Sequence, residues 1–150
     1  TTTSKEKTTT DLIGQVLPNF TFETADTQQK TPADFKGKKI VYVAWASWCP
    51  DCQQELPILN TLKEKYADKV EFVGVAMISQ KEPIENGKKY LKEHSLSLNY
   101  YSDVDSSFQK YHEITEIPTL IFVDKDGNIV KKTAGVLTQE ELETYIKEIL

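Results

Sequence analysis

Ile40-Val41-Tyr42-Val43-Ala44-Trp45-Ala46-Ser47-Trp48-Cys49-Pro50-Asp51-Cys52 decides how this chain is read. Its first six residues are a nearly continuous run of β-branched and aromatic side chains, which suits a central strand buried on both faces. Cys49 follows almost at once. Beyond it, Leu56, Leu59, Leu62 and Tyr66 recur at three- and four-residue intervals, as one face of a helix requires. Pro57 lies inside that pattern and is expected to kink the helix, because it has no amide hydrogen and crowds the carbonyl one turn back. The two cysteines therefore stand where a buried strand gives way to a helix.

Working outward, residues 70–78 (VEFVGVAMI) read as a second buried strand, and strand, helix and strand at this spacing imply a right-handed parallel crossover. Residues 83–94 have helical composition around Tyr90 and Leu91, although Gly87 weakens it. Residues 98–101 suggest a short strand and 104–111 a short helix. The runs TLIFV (119–123) and NIVKKT (128–133) flank Asp124-Lys125-Asp126-Gly127, turn chemistry that predicts a hairpin. Thr138 and Glu141 make a capping box ahead of Leu142, Tyr145, Ile146 and Ile149, which line one face of a closing helix. Upstream, Phe20-Thr21-Phe22 alternates apolar with polar. The order β-α-β, helical excursion, β-β-α predicts one α/β domain.

The 150 residues, 39% apolar and 27% charged, can bury one core but not two comfortable ones. A net charge of −5 with no basic run argues against a phosphate backbone as partner, so no nucleic acid is expected. No stretch reaches the roughly 20 apolar residues that span a bilayer. The opening TTTSKEKTTT cannot bury enough apolar surface to offset its ordering entropy. Residues 1–11 are therefore expected to be a flexible polar linker. It follows either a removed signal peptide or membrane anchor, which implies an extracytoplasmic, cell-surface or secreted protein, or it is a ragged terminus with vector residues.

Two thiols separated by two residues can pass between dithiol and disulfide without disturbing the fold, if the first thiolate is stabilised. A helix N-terminus offers that, through unpaired amide hydrogens and the helix dipole. Cys49 is thus expected to attack as nucleophile, and Cys52, one turn along and less exposed, to resolve the mixed disulfide. A zinc site would need two more ligands, and His94 and His112 match no finger spacing. Both histidines read most simply as surface residues on helices. A structural disulfide is the other alternative, and the strand-to-helix setting favours redox use. No cofactor beyond the redox-active Cys49–Cys52 pair is expected.

Residues 45–52 (WASWCPDC) resemble the active-site stretch of the thioredoxin superfamily, and residues 111–119 (YHEITEIPT) resemble its segment ending in a cis-proline. Residues 134–138 (AGVLT) are similar to the glycine turn before that family's last helix. The likeness covers roughly residues 12–150 and implies a thioredoxin-like domain there: a central mixed β-sheet flanked by helices, with an N-terminal β extension. It also implies that Ile117 and Pro118 lie opposite the cysteines, where an extended substrate can add main-chain hydrogen bonds. Considered alone, Ile-Pro-Thr is only a strand-entry proline. Within the superfamily the closer resemblance is to the extracytoplasmic TlpA/ResA-like branch, which carries a central helical insertion, here residues 80–101. That branch also has a glutamate and a proline at the positions of Glu55 and Pro57. Cytoplasmic thioredoxins have a buried aspartate where Val43 stands.

The resemblance implies a protein thiol–disulfide oxidoreductase acting on exported proteins, with Trp48, Pro50, Asp51, Ile117 and Pro118 shaping the substrate groove. Glu55, three residues beyond Cys52, could accept a proton from the resolving thiol; a solvated surface carboxylate is the alternative. Cys-Pro-Asp-Cys on this frame resembles disulfide-forming oxidoreductases of streptococci and related Gram-positive bacteria, which favours an oxidase. Asp51 and Glu116 place negative charge near the sulfurs and oppose thiolate formation, which favours a milder centre or a reductase for cytochrome maturation or surface repair enzymes. A peptide-binding adaptor or chaperone is the reading from a different class. The expected partners are thiol- or disulfide-bearing exported proteins and a membrane or surface protein that recycles the pair, with the chain itself a monomer.

Overall fold

The computed structural model describes residues 8–10, 16–18, 20–77 and 84–150. Strands β1 (Thr8–Thr10) and β2 (Val16–Pro18) pair antiparallel as a small sheet of their own, so the end of the segment expected as a linker is extended. The main sheet comprises β3 (Phe22–Thr24), β4 (Gln29–Lys30), β5 (Ile40–Trp45), β6 (Glu71–Ala76), β7 (Asn99–Ser102), β8 (Thr119–Val123) and β9 (Ile129–Ala134). Helices α1 (Pro50–Lys65), α2 (Ile84–Glu93), α3 (Ser107–His112) and α4 (Gln139–Ile149) join them. Across the sheet the order is β4-β3-β7-β6-β5-β8-β9. The inner pairs β5·β6 and β6·β7 are parallel, while β8, β9, β3 and β4 add antiparallel. This is the mixed sheet of a thioredoxin fold with an N-terminal β extension.

Strand β5 shows why the apolar run is continuous: Val41, Val43 and Trp45 pack with α1 and α4, whereas Ile40, Tyr42 and Ala44 face the opposite layer. The first layer contains Leu56, Leu59, Leu62, Leu142 and Ile146, and the second is an aromatic layer of Phe20, Phe22, Phe35, Phe108 and Tyr111. Both faces are dry, as a period-2 strand with no polar position requires. Helix α1 runs unbroken through Pro57 for two further turns, so the proline does not end it.

Helix α3 starts later than composition suggests, at Ser107 instead of 104. The buried Asp103 carboxylate accepts the amides of Phe108 and Gln109, both at 2.9 Å, and Ser106 is left-handed at φ 61°. Residues 104–106 are thereby a turn that aims the helix. Strand β9 is likewise displaced by one residue from the expected 128–133, and Ile78, at the end of the second expected strand, lies outside the described residues, as do residues 80–83 of the insertion. His112 needs correction: expected on the surface, it is buried, with its ring 4.7 Å from Phe108 and 4.6 Å from Tyr111. Four residues after Phe108, it shares the face that α3 turns toward the aromatic layer. His94 is exposed and stacks on Tyr90 at 3.9 Å.

Candidate active site

Cys49 is the N-cap of α1, with Pro50 at the first helical position, where a missing amide hydrogen is not needed. Its sulfur accepts the amide hydrogen of Cys52 at 3.2 Å, so an unpaired donor of the first turn points at the atom that would carry negative charge. The Ala46 carbonyl accepts the Cys49 amide at 3.2 Å, and Gln53 Nε2 donates to the Ser47 carbonyl at 2.7 Å. Those two bonds fix the turn between β5 and α1. Gln53 was not among the expected site residues, although a polar side chain one turn beyond Cys49 is a signal that could have marked it.

Across from this turn, the Ile117–Pro118 peptide bond is cis, and the Ile117 carbonyl oxygen lies 3.8 Å from the Cys49 sulfur. Segments 68 positions apart thus meet at one sulfur. Trp48 beside it is 51% exposed and Asp51 is exposed, while Ile117 is half-buried and Pro118 buried. Pro50 is exposed at the start of the helix. Both cysteines are free thiols, 4% and 1% exposed for Cys49 and Cys52 respectively. Burial, reinforced by the Cys49 hydrogen bond and the Glu55 charge, pushes the Cys52 thiol well above the ordinary thiol range. The pair is asymmetric: the Cys49 sulfur accepts the Cys52 amide and lies beside the Ile117 carbonyl, whereas Cys52 is the more deeply buried.

Glu55 is completely buried, which removes the solvated-carboxylate alternative. Its Oε2 accepts the Leu137 amide at 2.8 Å, and Oε1 has no hydrogen-bond partner among the described residues. Burial pushes its carboxyl up to about 7, with Asp51 adding to the rise and the Leu137 amide opposing it. The Leu137 amide could not be found from sequence, since a backbone donor carries no residue-type signal. From α2, Tyr90 packs on Trp45 at 6.1 Å, and the charge of Cys52 reaches it. The insertion therefore packs against the end of β5, four residues before Cys49. Among the described residues, no group of three or more His, Cys, Asp or Glu could hold a metal ion, and no helix is long and apolar enough to cross a membrane.

Residues 12–149 match the Redoxin family. The chain belongs to that family. This redoxin is 31% identical over 137 residues, 91% of its length and 78% of the relative's, to the thiol-disulfide oxidoreductase ResA of Bacillus thuringiensis subsp. konkukian. Among solved structures it is similar to dsbF of MTB, in mixed oxidized and reduced forms, with a TM-score of 0.78 and 26% identity, covering 87% of this chain and 95% of that one. It is also similar to the pneumococcal exposed lipoprotein thioredoxin Etrx1 of Streptococcus pneumoniae, with a TM-score of 0.75 and 25% identity, covering 86% and 98%. Family, relatives and the paired thiols agree: the redoxin is a thiol–disulfide oxidoreductase of the ResA type.

Proposed function

We propose that this redoxin forms disulfide bonds in exported proteins outside the cytoplasm, with Cys49 and Cys52 alone carrying the electrons. The observation that carries this reading is the Cys49 sulfur at the N-cap of α1, in contact with the Ile117 carbonyl at 3.8 Å and next to the exposed Trp48. A client thiolate attacks Cys49 of the Cys49–Cys52 disulfide; the client–Cys49 bond forms and the Cys49–Cys52 bond breaks. Cys52 leaves as a thiolate and takes a proton from the Glu55 carboxyl. A second client thiolate then attacks the client sulfur of the mixed disulfide, closing the client disulfide and releasing Cys49 as a thiolate. Two electrons have moved from client to protein, and a membrane or surface partner removes them.

Glu55 suits this step because a carboxyl at about 7 is neither fully ionised nor fully protonated near neutral pH. It can therefore serve in either direction. The extended client strand lies along Ile117, with Trp48, Pro50, Asp51 and Pro118 bounding the groove, in the manner of a strand added to exposed backbone. The Cys-Pro-Asp-Cys sequence supports the oxidising direction. The exposed negative charge of Asp51, which acts on Glu55 as well, favours the second reading, a reductase for cytochrome maturation or repair enzymes.

Cys52→Ala expressed in the native host tests the proposal, since a mixed disulfide lacking its resolving thiol persists. Exported proteins with paired cysteines are expected in the trapped species, together with the recycling partner. The wild-type pair is expected mainly oxidised at steady state. A mainly reduced pair overturns the oxidising direction, and the absence of trapped species overturns exchange on exported proteins.

A further inference from the structure

We propose that the backbone amide of Leu137 is a positioning group for the redox centre, turning Oε2 of Glu55 to the β9–α4 turn and leaving Oε1 for Cys52. The inference rests on the acid–base role of Glu55 proposed above.

The turn is held at both ends. At one end the Gly135 amide donates to the Pro118 carbonyl at 2.9 Å, so the turn is pinned to the loop whose Ile117 carbonyl faces Cys49. Gly135 adopts φ +83°, a conformation L side chains rarely take, and this lets the chain reverse directly after that bond. At the other end Thr138 is the N-cap of α4: its hydroxyl accepts the Glu141 amide at 3.1 Å, and Glu141 Oε1 accepts the Thr138 amide at 3.0 Å. Between these anchors the Leu137 amide has little freedom to follow the carboxyl. It reaches Glu55 across 82 positions of the chain and is the partner of a fully buried acid.

The surroundings identify what governs the ionisation of Glu55. On its own helix, the titratable neighbours that act on this cluster are Asp51 and Cys52, and from α2 Tyr90 feels the charge of Cys52. The turn facing it, Ala134-Gly135-Val136-Leu137-Thr138, brings no charged side chain. Its influence is therefore a hydrogen bond to the ionised form, which opposes the effect of burial. Without that bond a buried carboxylate would lose the partner that makes ionisation near neutral pH accessible. The same Gly135–Pro118 bond places the client groove and the proton carrier on one backbone unit.

The test is NMR titration of the full chain, following the Glu55 carboxyl carbon and the Leu137 amide. The Leu137 amide shift is expected to follow the carboxyl with the same midpoint and to lose that titration in Glu55→Gln. Replacing Leu137 with its α-hydroxy analogue, which exchanges the amide for an ester, is expected to raise the Glu55 midpoint by about one to two pH units. The same shift is expected in the second phase of thionitrobenzoate release from dithiobis(nitrobenzoate), in which Cys52 displaces the reagent from Cys49. Val136→Ala, which alters packing of the turn but keeps every donor, should leave the Glu55 midpoint in place. A Leu137 amide that ignores the Glu55 titration in the unmodified protein overturns the proposal, and so does an ester variant with an unmoved midpoint. If the ester variant fails to fold, the unmodified protein decides alone. Should Glu55→Gln keep the pH dependence of the second phase, the acid–base role of Glu55 fails, while the Leu137 titration still reports separately on positioning.

Discussion

The Cys49 sulfur lies 3.8 Å from the carbonyl oxygen of Ile117, with the Cys52 amide 3.2 Å away on its other side. Cys52 is buried more deeply still, 1% exposed against 4% for Cys49, and its thiol is pushed up chiefly by burial. Limiting iodoacetamide at about pH 7 is therefore expected to alkylate Cys49 at least about 100-fold faster than Cys52 in the reduced protein. Peptide mass spectrometry reads the ratio, and comparable labelling of the two thiols would refute the assignment.

Trp48 is 51% exposed, so about half of the indole is covered and that packing is lost on its truncation. Trp48→Ala should lower unfolding free energy by about 2 kcal/mol. If the indole is an anchor for clients, exchange with a polypeptide should slow by about tenfold while exchange with a small disulfide barely changes. Parallel rates on the two substrates, with and without the ring, decide this.

For Glu55 the sign of the pH effect follows from its raised carboxyl, about 7 in the fold against an ordinary 4.5. Between those values the folded state binds more protons than the unfolded one, so this group takes stability away as pH rises from 4.5 through 7. Glu55→Gln removes that loss. The variant should be more stable than wild type by about 3 kcal/mol at about pH 8, with the difference vanishing below about pH 4. Urea denaturation across this range checks it; a variant less stable at the alkaline end would contradict the raised carboxyl.

Asp103→Ala should weaken the layer on the other side of the sheet. Its buried carboxylate holds the Phe108 and Gln109 amides at 2.9 Å each, and alanine leaves both donors without it. A loss of about 2–3 kcal/mol is expected, with faster hydrogen exchange concentrated in α3. Exchange that rises uniformly over the chain would mean that Asp103 does not secure this helix locally.

Much of this architecture is legible in the sequence. The run from Ile40 to Trp45 announced a strand buried on both faces, and Thr138 with Glu141 announced the last helix, because each pattern is local and has one inexpensive conformation. The placement of Cys49 and Cys52 at a strand-to-helix junction was legible for the same reason. What sequence did not carry was the outcome of long-range packing. His112 looked like a surface residue until α3 was rotated by the Asp103 cap, and Glu55 could have been solvated until the turn before α4 covered it. The Leu137 amide has no side-chain chemistry to betray it, so only a folded chain exposes its part.

The outer strands of the sheet carry a last consequence. One border, β4, is two residues long; the other, β9, is longer but bears Lys131 and Lys132. Lys131 lies over the Tyr145 ring at 4.8 Å, and Lys132 donates to the His112 carbonyl. Short borders and lysine-bearing borders discourage intermolecular strand pairing. An oxidoreductase that meets extended, thiol-bearing chains needs such insulation, because a sticky border would recruit them into aggregates. The borders of this sheet are thereby poorly suited to pairing with another extended chain.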